Sequence, residues 1–133
     1  MASIFTRIVN GELPCHKVAE INDYLAFLDI RPLTYGHTLV IPKKEVDYIF
    51  DLDDEVYLGL QMFAKMVAKA LKIVTGQRIG VCVIGLEVPH AHIHLIPFTQ
   101  MEQMNFSNPK LSLSQEELSN LARKIQDEVL KAS

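Results

Sequence analysis

The sequence predicts an α+β fold in which a mostly antiparallel five-stranded sheet carries one long central helix and a C-terminal helix. Three observations lead there. Five segments, at 16–21, 24–30, 37–41, 78–84 and 90–97, are apolar or alternate with a period of two, as strands do. Between the third and fourth, Val56, Leu60, Phe63, Val67, Ala70, Leu71 and Val74 keep a helical stripe. Near the end, Ser114-Gln115-Glu116-Glu117 is a capping box that opens an amphipathic helix over about 114–131.

Each element has its own local reason. Residues 3–11 read as a short helix with Ser3 as N-cap, Ile4, Phe5 and Ile8 on one face, and Gly11 and Pro14 to stop it. Asn22-Asp23 is a two-residue hairpin signal joining the first two strands. Asp29 shares a face with Leu25 and Phe27, so the second strand ends with a carboxylate on an apolar side. Gly36 precedes the third strand and Pro42 ends it. Asp51, Asp53, Asp54 and Glu55 crowd the start of the central helix, where its dipole favours negative charge, and Gly76 caps its end. The continuous apolar run at 78–84 predicts a strand buried on both faces. Residues 99–113 are polar and without period, and read as a loop. Leu118, Leu121, Ala122, Ile125 and Val129 face the last helix inward.

Composition narrows the class. At 133 residues, 49% apolar and 22% charged, the chain reads as one soluble domain, 1–133, with no internal repeat. No apolar run approaches the length of a membrane span, and the N-terminus lacks a signal-peptide pattern. Cys15 and Cys82 stand far apart in no metal-ligand spacing, as free thiols of a reducing cytoplasm would. A net charge of −3 argues against non-specific nucleic-acid binding but leaves room for one bound nucleotide.

Chemistry concentrates in Pro89-His90-Ala91-His92-Ile93-His94-Leu95-Ile96-Pro97, which holds three of the five histidines. On a strand, His90, His92 and His94 would line one face at roughly 7 Å intervals, with the apolar residues turned to the core. A single strand histidine is most often a satisfied core or surface residue. Three in register also suit a metal site, or a nucleophilic imidazole flanked by groups that hold charge and protons.

His-x-His-x-His followed by two apolar residues resembles the signature of the histidine triad family of nucleotide hydrolases and transferases. Ser3-Ile4-Phe5, Phe27-Leu28-Asp29-Ile30 and residues 36–43 resemble that family in the same order, so the likeness spans residues 3–98. It implies the corresponding fold and a homodimer whose two sheets run together. It also implies reaction at the α-phosphate of a nucleoside phosphoester, phosphoanhydride or phosphoramidate, with a purine nucleotide or dinucleotide as substrate. His92 would be the nucleophile, forming a nucleotidyl-histidine that water hydrolyses. His90 and His94 would contact phosphoryl oxygens or maintain the hydrogen-bond chain, and His37 would orient the triad from behind. Asp29 would hold the ribose, with Ile4, Phe5, Ile8, Phe27 and Ile30 around the base and Glu87 and Val88 near the phosphate.

The sequence departs from the family at three places. Many bacterial members hold a structural zinc through two cysteines and two histidines. Ser3, Thr6 and Glu45 occupy three of those positions and only His90 remains, so no metal and no other cofactor is expected. The loop before the triad lacks the asparagine of the phosphoramidase members. Glu87 replaces a hydroxyl residue, and its carboxylate would either repel phosphate or donate when protonated. A nucleotide-binding or signalling module without turnover is the competing expectation, and a metal hydrolase built on the histidine row ranks third.

Overall fold

The computed structural model describes residues 2–132. A short helix α1 (Ile4–Val9) leads into strands β1 (Lys17–Ile21), β2 (Tyr24–Leu28) and β3 (Thr38–Pro42). Helix α2 (Asp54–Thr75), β4 (Arg78–Cys82), β5 (Ile93–Phe98) and α3 (Gln115–Ala132) follow, with 3₁₀ turns at Ile49–Asp51 and Met101–Met104. The five strands form one sheet in the order β1-β2-β3-β5-β4, and every neighbouring pair is antiparallel. The α+β expectation therefore holds.

Strand alternation sorts the core into two layers. Ala26, Leu28, Val40, Ile93 and Leu95 face α2 and α3 and meet Leu60, Phe63, Val67, Leu71, Leu121 and Ile125. On the other face Leu25, Phe27, Leu39 and Ile41 pack with Phe5 of α1. β2 and β3 are buried throughout because both of their faces are covered.

Local caps set the helices as the sequence foretold. The Ser3 hydroxyl accepts from the Thr6 N–H, and Asp53 accepts from the Val56 N–H. Gly76 closes α2 at φ 71°, a left-handed geometry that favours glycine. Ser114 and Glu117 exchange their two capping bonds at 3.0 Å each. Gly59 serves a close approach: a Cβ there would lie 2.0 Å from the Tyr24 hydroxyl, which donates to the Val56 carbonyl.

Two strand expectations need correction. The run at 78–84 is not buried on both faces. β4 is an edge strand that stops at Cys82, and Val81 is 61% exposed. An apolar run cannot distinguish a central strand from an edge whose cover lies outside the chain. The triad strand begins at Ile93 rather than His90. Its pairing with β3 starts at Ile93 opposite Val40, and further along β3 stands Pro42, which has no N–H to donate. The Ala91 N–H instead donates to the Val46 carbonyl, and the His90 N–H to the Val88 carbonyl.

Candidate active site

A cavity of about 530 Å³ opens on the α1 side of the sheet, where β3 and β5 meet the loop after β4. Ile4, Phe5, Asp29, Ile30, His37, Glu87, Val88, His92 and His94 line it, so nine of the twelve residues singled out in the sequence converge there. Its size suits one small ligand, and its walls combine apolar plates with a few polar groups.

The other three lie behind the wall. Phe27 points into the smaller core cluster, its ring edge-on to Phe5 at 5.6 Å, and Ile8 packs against the same cluster. They support Phe5 rather than face the cavity. His90 is 0% exposed and turned away from it. The strand starts only at Ile93, and the backbone at His90 and Ala91 bonds to Val88 and Val46 instead, so the His90 ring escapes the register that would have aligned it with the other two.

Backbone partners fix the tautomer of each neutral ring. The His90 Nε2 lies 2.7 Å from the Pro42 carbonyl, an acceptor only, so Nε2 carries the proton. Its Nδ1 accepts from the Ser3 hydroxyl at 2.8 Å. The His92 Nδ1 lies 2.7 Å from the His90 carbonyl, so Nδ1–H donates and Nε2 keeps its lone pair. The Leu33 N–H donates to the His37 Nδ1 at 3.0 Å. The proton of His37 is therefore on Nε2 and points at the His94 Nδ1, 3.0 Å away. That leaves the His94 Nε2–H as the end of the chain. The rings of His92 and His94 stand 4.9 Å apart.

Burial sets the charges. It pushes His37 down to about 3, with help from His94 and Lys110, and His94 down to about 4, with help from His92. Both rings are neutral at physiological pH. The 3.7 Å approach of the Asp29 Oδ2 to the His37 Nε2 is accordingly not an ion pair. Burial also raises Asp29, although the Arg31 N–H donates to its Oδ1 at 2.9 Å.

Two metal arrangements can be tested against these donors. Asp29, His37 and His94 each offer a ligand atom within 4.8 Å of the others. An ion there would have to displace the His37 Nε2 proton while the Leu33 N–H still occupies Nδ1. The group is built as a proton chain. Ser3, Thr6, Glu45 and His90 do come together, but through hydrogen bonds. The Ser3 N–H and the Thr6 hydroxyl both donate to the Glu45 Oε1 at 2.6 Å, and the Ser3 hydroxyl occupies the His90 Nδ1. One imidazole with a committed lone pair and one carboxylate do not fit the four-ligand zinc site that the resemblance raised.

Sequence reasoning missed Leu39, Arg31, residues 84–86, Phe106 and Lys110, all of which line the cavity. Leu39 lies opposite His94 in the sheet, so correct strand pairing would have found it. Arg31 follows directly from its proximity to Asp29. Phe106 and Lys110 left no signal, since they sit in a polar segment without period.

Known proteins resemble this chain in sequence and in fold. Residues 10–101 match the family model described as HIT domain. The adenosine 5'-monophosphoramidase hnt1 of Schizosaccharomyces pombe is 35% identical over 97% of this chain and 99% of its own length. An uncharacterized HIT-like protein of Borreliella burgdorferi is 38% identical over 92% of this chain and 94% of its own. The crystal structure of a Hit-like protein from Bartonella henselae superposes with a TM-score of 0.82, at 31% identity and 95% coverage of both chains. With the domain model spanning most of the sequence, and His92 and His94 of the triple-histidine run lining one cavity, the chain belongs to the histidine triad (HIT) family.

Proposed function

We propose that this protein binds a purine nucleotide and cleaves it at the α-phosphate through a covalent intermediate on His92. The observation that carries this reading is the bond from the His92 Nδ1–H to the His90 carbonyl. It commits Nδ1 as the donor, so in the unprotonated ring the lone pair sits on Nε2 in a cavity wall, which is what attack on phosphorus requires. In the first step Nε2 bonds to phosphorus and the bond to the leaving group breaks. In the second, water adds to phosphorus and gives up a proton to solvent, the P–N bond breaks and the Nε2 of the ring regains its lone pair. The His94 Nε2–H, held by His37, is a donor to a phosphoryl oxygen, the kind of preorganised contact that dominates phosphoryl transfer. His90 acts through its carbonyl, Asp29 accepts from the ribose hydroxyls, and Ile4, Phe5 and Ile30 flank the base.

The phosphoramidase relative supports a nucleoside phosphoramidate as the first substrate to try. Quenched-flow mass spectrometry with adenosine 5'-phosphoramidate should trap an adenylyl adduct on His92. An adduct on another residue, or full turnover by His92→Ala, rejects the mechanism. Activity that survives a chelator separates this reading from a metal hydrolase.

One observation favours binding without turnover: the Glu87 carboxylate lines the cavity. It is exposed, however, so water screens its repulsion of a phosphate. We also infer a homodimer. The unpaired edge β4, with Val81, Val83 and Ile84 exposed on it and beyond its end, would be covered if two sheets met there. Light scattering should give twice the 15.0 kDa chain mass. Free Cys15 and Cys82, with no helix among the described residues able to cross a membrane, suit a cytoplasmic site of action.

A further inference from the structure

The segment between β5 and α3, expected as plain loop, is built against the histidines. The Phe106 ring stands edge-on to His94, with centroids 4.9 Å apart, and near-perpendicular to His37 at 6.2 Å. Its backbone is tied internally: the Asn108 N–H donates to the Asn105 carbonyl, and the Asn108 side chain to the Glu102 carbonyl. Its far end is tied to the loop that follows Asp29, through the Leu111 N–H and the Pro32 carbonyl at 2.8 Å.

Lys110 doubles back on this segment. Its ammonium donates to the Phe106 carbonyl at 2.5 Å and the Asn108 carbonyl at 3.0 Å. An ammonium has three protons, so one remains, and the side chain lines the cavity. Fixing a lysine in this way removes much of the rotamer freedom that ligand binding would otherwise have to freeze.

The cavity needs such a charge. His37 and His94 stay neutral through burial, so neither brings an imidazolium to a phosphate. The remaining cations in the wall are Arg31 and Lys110. Arg31 is exposed, and it acts on the neighbouring Asp29 through space. Lys110 is half-buried and anchored on the same side as the His37–His94 pair.

Resting on the nucleotide reading above, we propose that Lys110 is the fixed cation of the site and takes up the charge of the bound nucleoside monophosphate's phosphate group. The plainer role would be counter-ion to Asp29, on which Lys110 acts through space. The two roles differ in what they require of the ligand. A counter-ion to Asp29 supports ribose binding whether or not a phosphate is present. A phosphate-binding cation is felt only by the phosphorylated ligand.

Calorimetric titration of adenosine 5'-monophosphate and of adenosine, against wild type, Lys110→Met and Lys110→Arg, decides between them. The Met variant should lose at least about tenfold in affinity for the monophosphate and keep its affinity for adenosine, which also shows that it is folded. The Arg variant, which retains charge and stem, should recover most of the loss. In wild type, the preference for the monophosphate over adenosine should shrink as salt is raised. Unchanged monophosphate binding by Lys110→Met overturns the assignment, as does a parallel loss of both ligands or an Arg variant no better than Met. Wild-type protein that binds neither ligand removes the nucleotide reading itself, and this assignment with it.

Discussion

The two ends of the histidine run use the same side chain in opposite ways. At the His90 end both ring nitrogens are committed, one to the Pro42 carbonyl and the other to the Ser3 hydroxyl, and no ring atom meets solvent. At the His92 end one nitrogen is committed and the other has no hydrogen-bond partner among the described residues. A ring bonded at both nitrogens to neutral partners can react only by first breaking a buried hydrogen bond. A ring tied at one is oriented and still has a lone pair to offer. The difference comes from where the strand begins. His92, immediately before the strand, keeps the cavity side with His94, while His90, two residues earlier and bonded through its N–H to the Val88 carbonyl, points back between α1 and the loop after β3.

If this contrast is right, substitutions at the two ends should fail differently. The largest effect is expected for His92→Ala. Turnover should fall by about a thousandfold or more while nucleotide binding and thermal stability persist, as steady-state rates beside calorimetry would show. A variant that loses binding in proportion to rate would break the contrast.

His90→Ala should do the reverse in emphasis. It strands the Pro42 carbonyl and the Ser3 hydroxyl in a buried site, a loss of about 2 kcal/mol or more. Activity per folded molecule should drop far less than for His92→Ala, since the carbonyl that holds His92 belongs to the backbone. Ser3→Ala removes the α1 cap as well as the His90 contact, and should cost about 1 kcal/mol or somewhat more in denaturant unfolding. Equal loss of activity in His90→Ala and His92→Ala at a temperature where both are folded would erase the distinction.

Acid should reveal the neutral pair next to His92. His37 and His94 have an ordinary value of 6.5 and are depressed in the fold to about 3 and about 4. Between those limits the unfolded chain binds protons that the native state refuses. Stability should therefore be fully present above about pH 6.5 and decline as pH falls toward 4. Melting temperatures across that range should show the slope, and His94→Gln should make it shallower.

The smallest effect is expected at Asp29. Burial holds its pKa above the ordinary carboxylate value, so the ionised form opposes folding at neutral pH. Asp29→Asn keeps an acceptor for the Arg31 N–H and relieves the buried charge. It should melt slightly higher than wild type and bind nucleoside monophosphates several-fold more weakly. A lower melting temperature would show that the carboxylate contributes to the fold rather than to the ligand.

Most of the sheet and both long helices were legible in the chain because their signals are local. Alternation, capping residues and the stripe of α2 depend on neighbours within a few positions. The Ser114–Glu117 capping box and the Ser3 cap formed where the sequence placed them. The histidine signature and the Phe27–Ile30 block likewise pointed to one site, since nine residues named from sequence line the cavity. What periodicity could not say was where pairing stops. That depends on which strand lies alongside, and Pro42 on β3 moved the start of β5 past His90.

The remaining decisions were tertiary for the same reason. The run at 78–84 carries apolar side chains whether it lies inside a sheet or at its edge, and only strand order made β4 an edge. Phe106 and Lys110 are separated by polar, aperiodic residues, so nothing local marks them. They reach the histidines because the backbone of residues 99–113 folds back over β5, with its end bonded to Pro32. The sequence alone determined which kinds of group line the cavity: the imidazoles, the carboxylate and the apolar wall. Which imidazole keeps a free nitrogen was decided by carbonyls and N–H groups at Pro42, His90 and Leu33. Every residue except proline carries both of those groups, so only their positions in space could single these out.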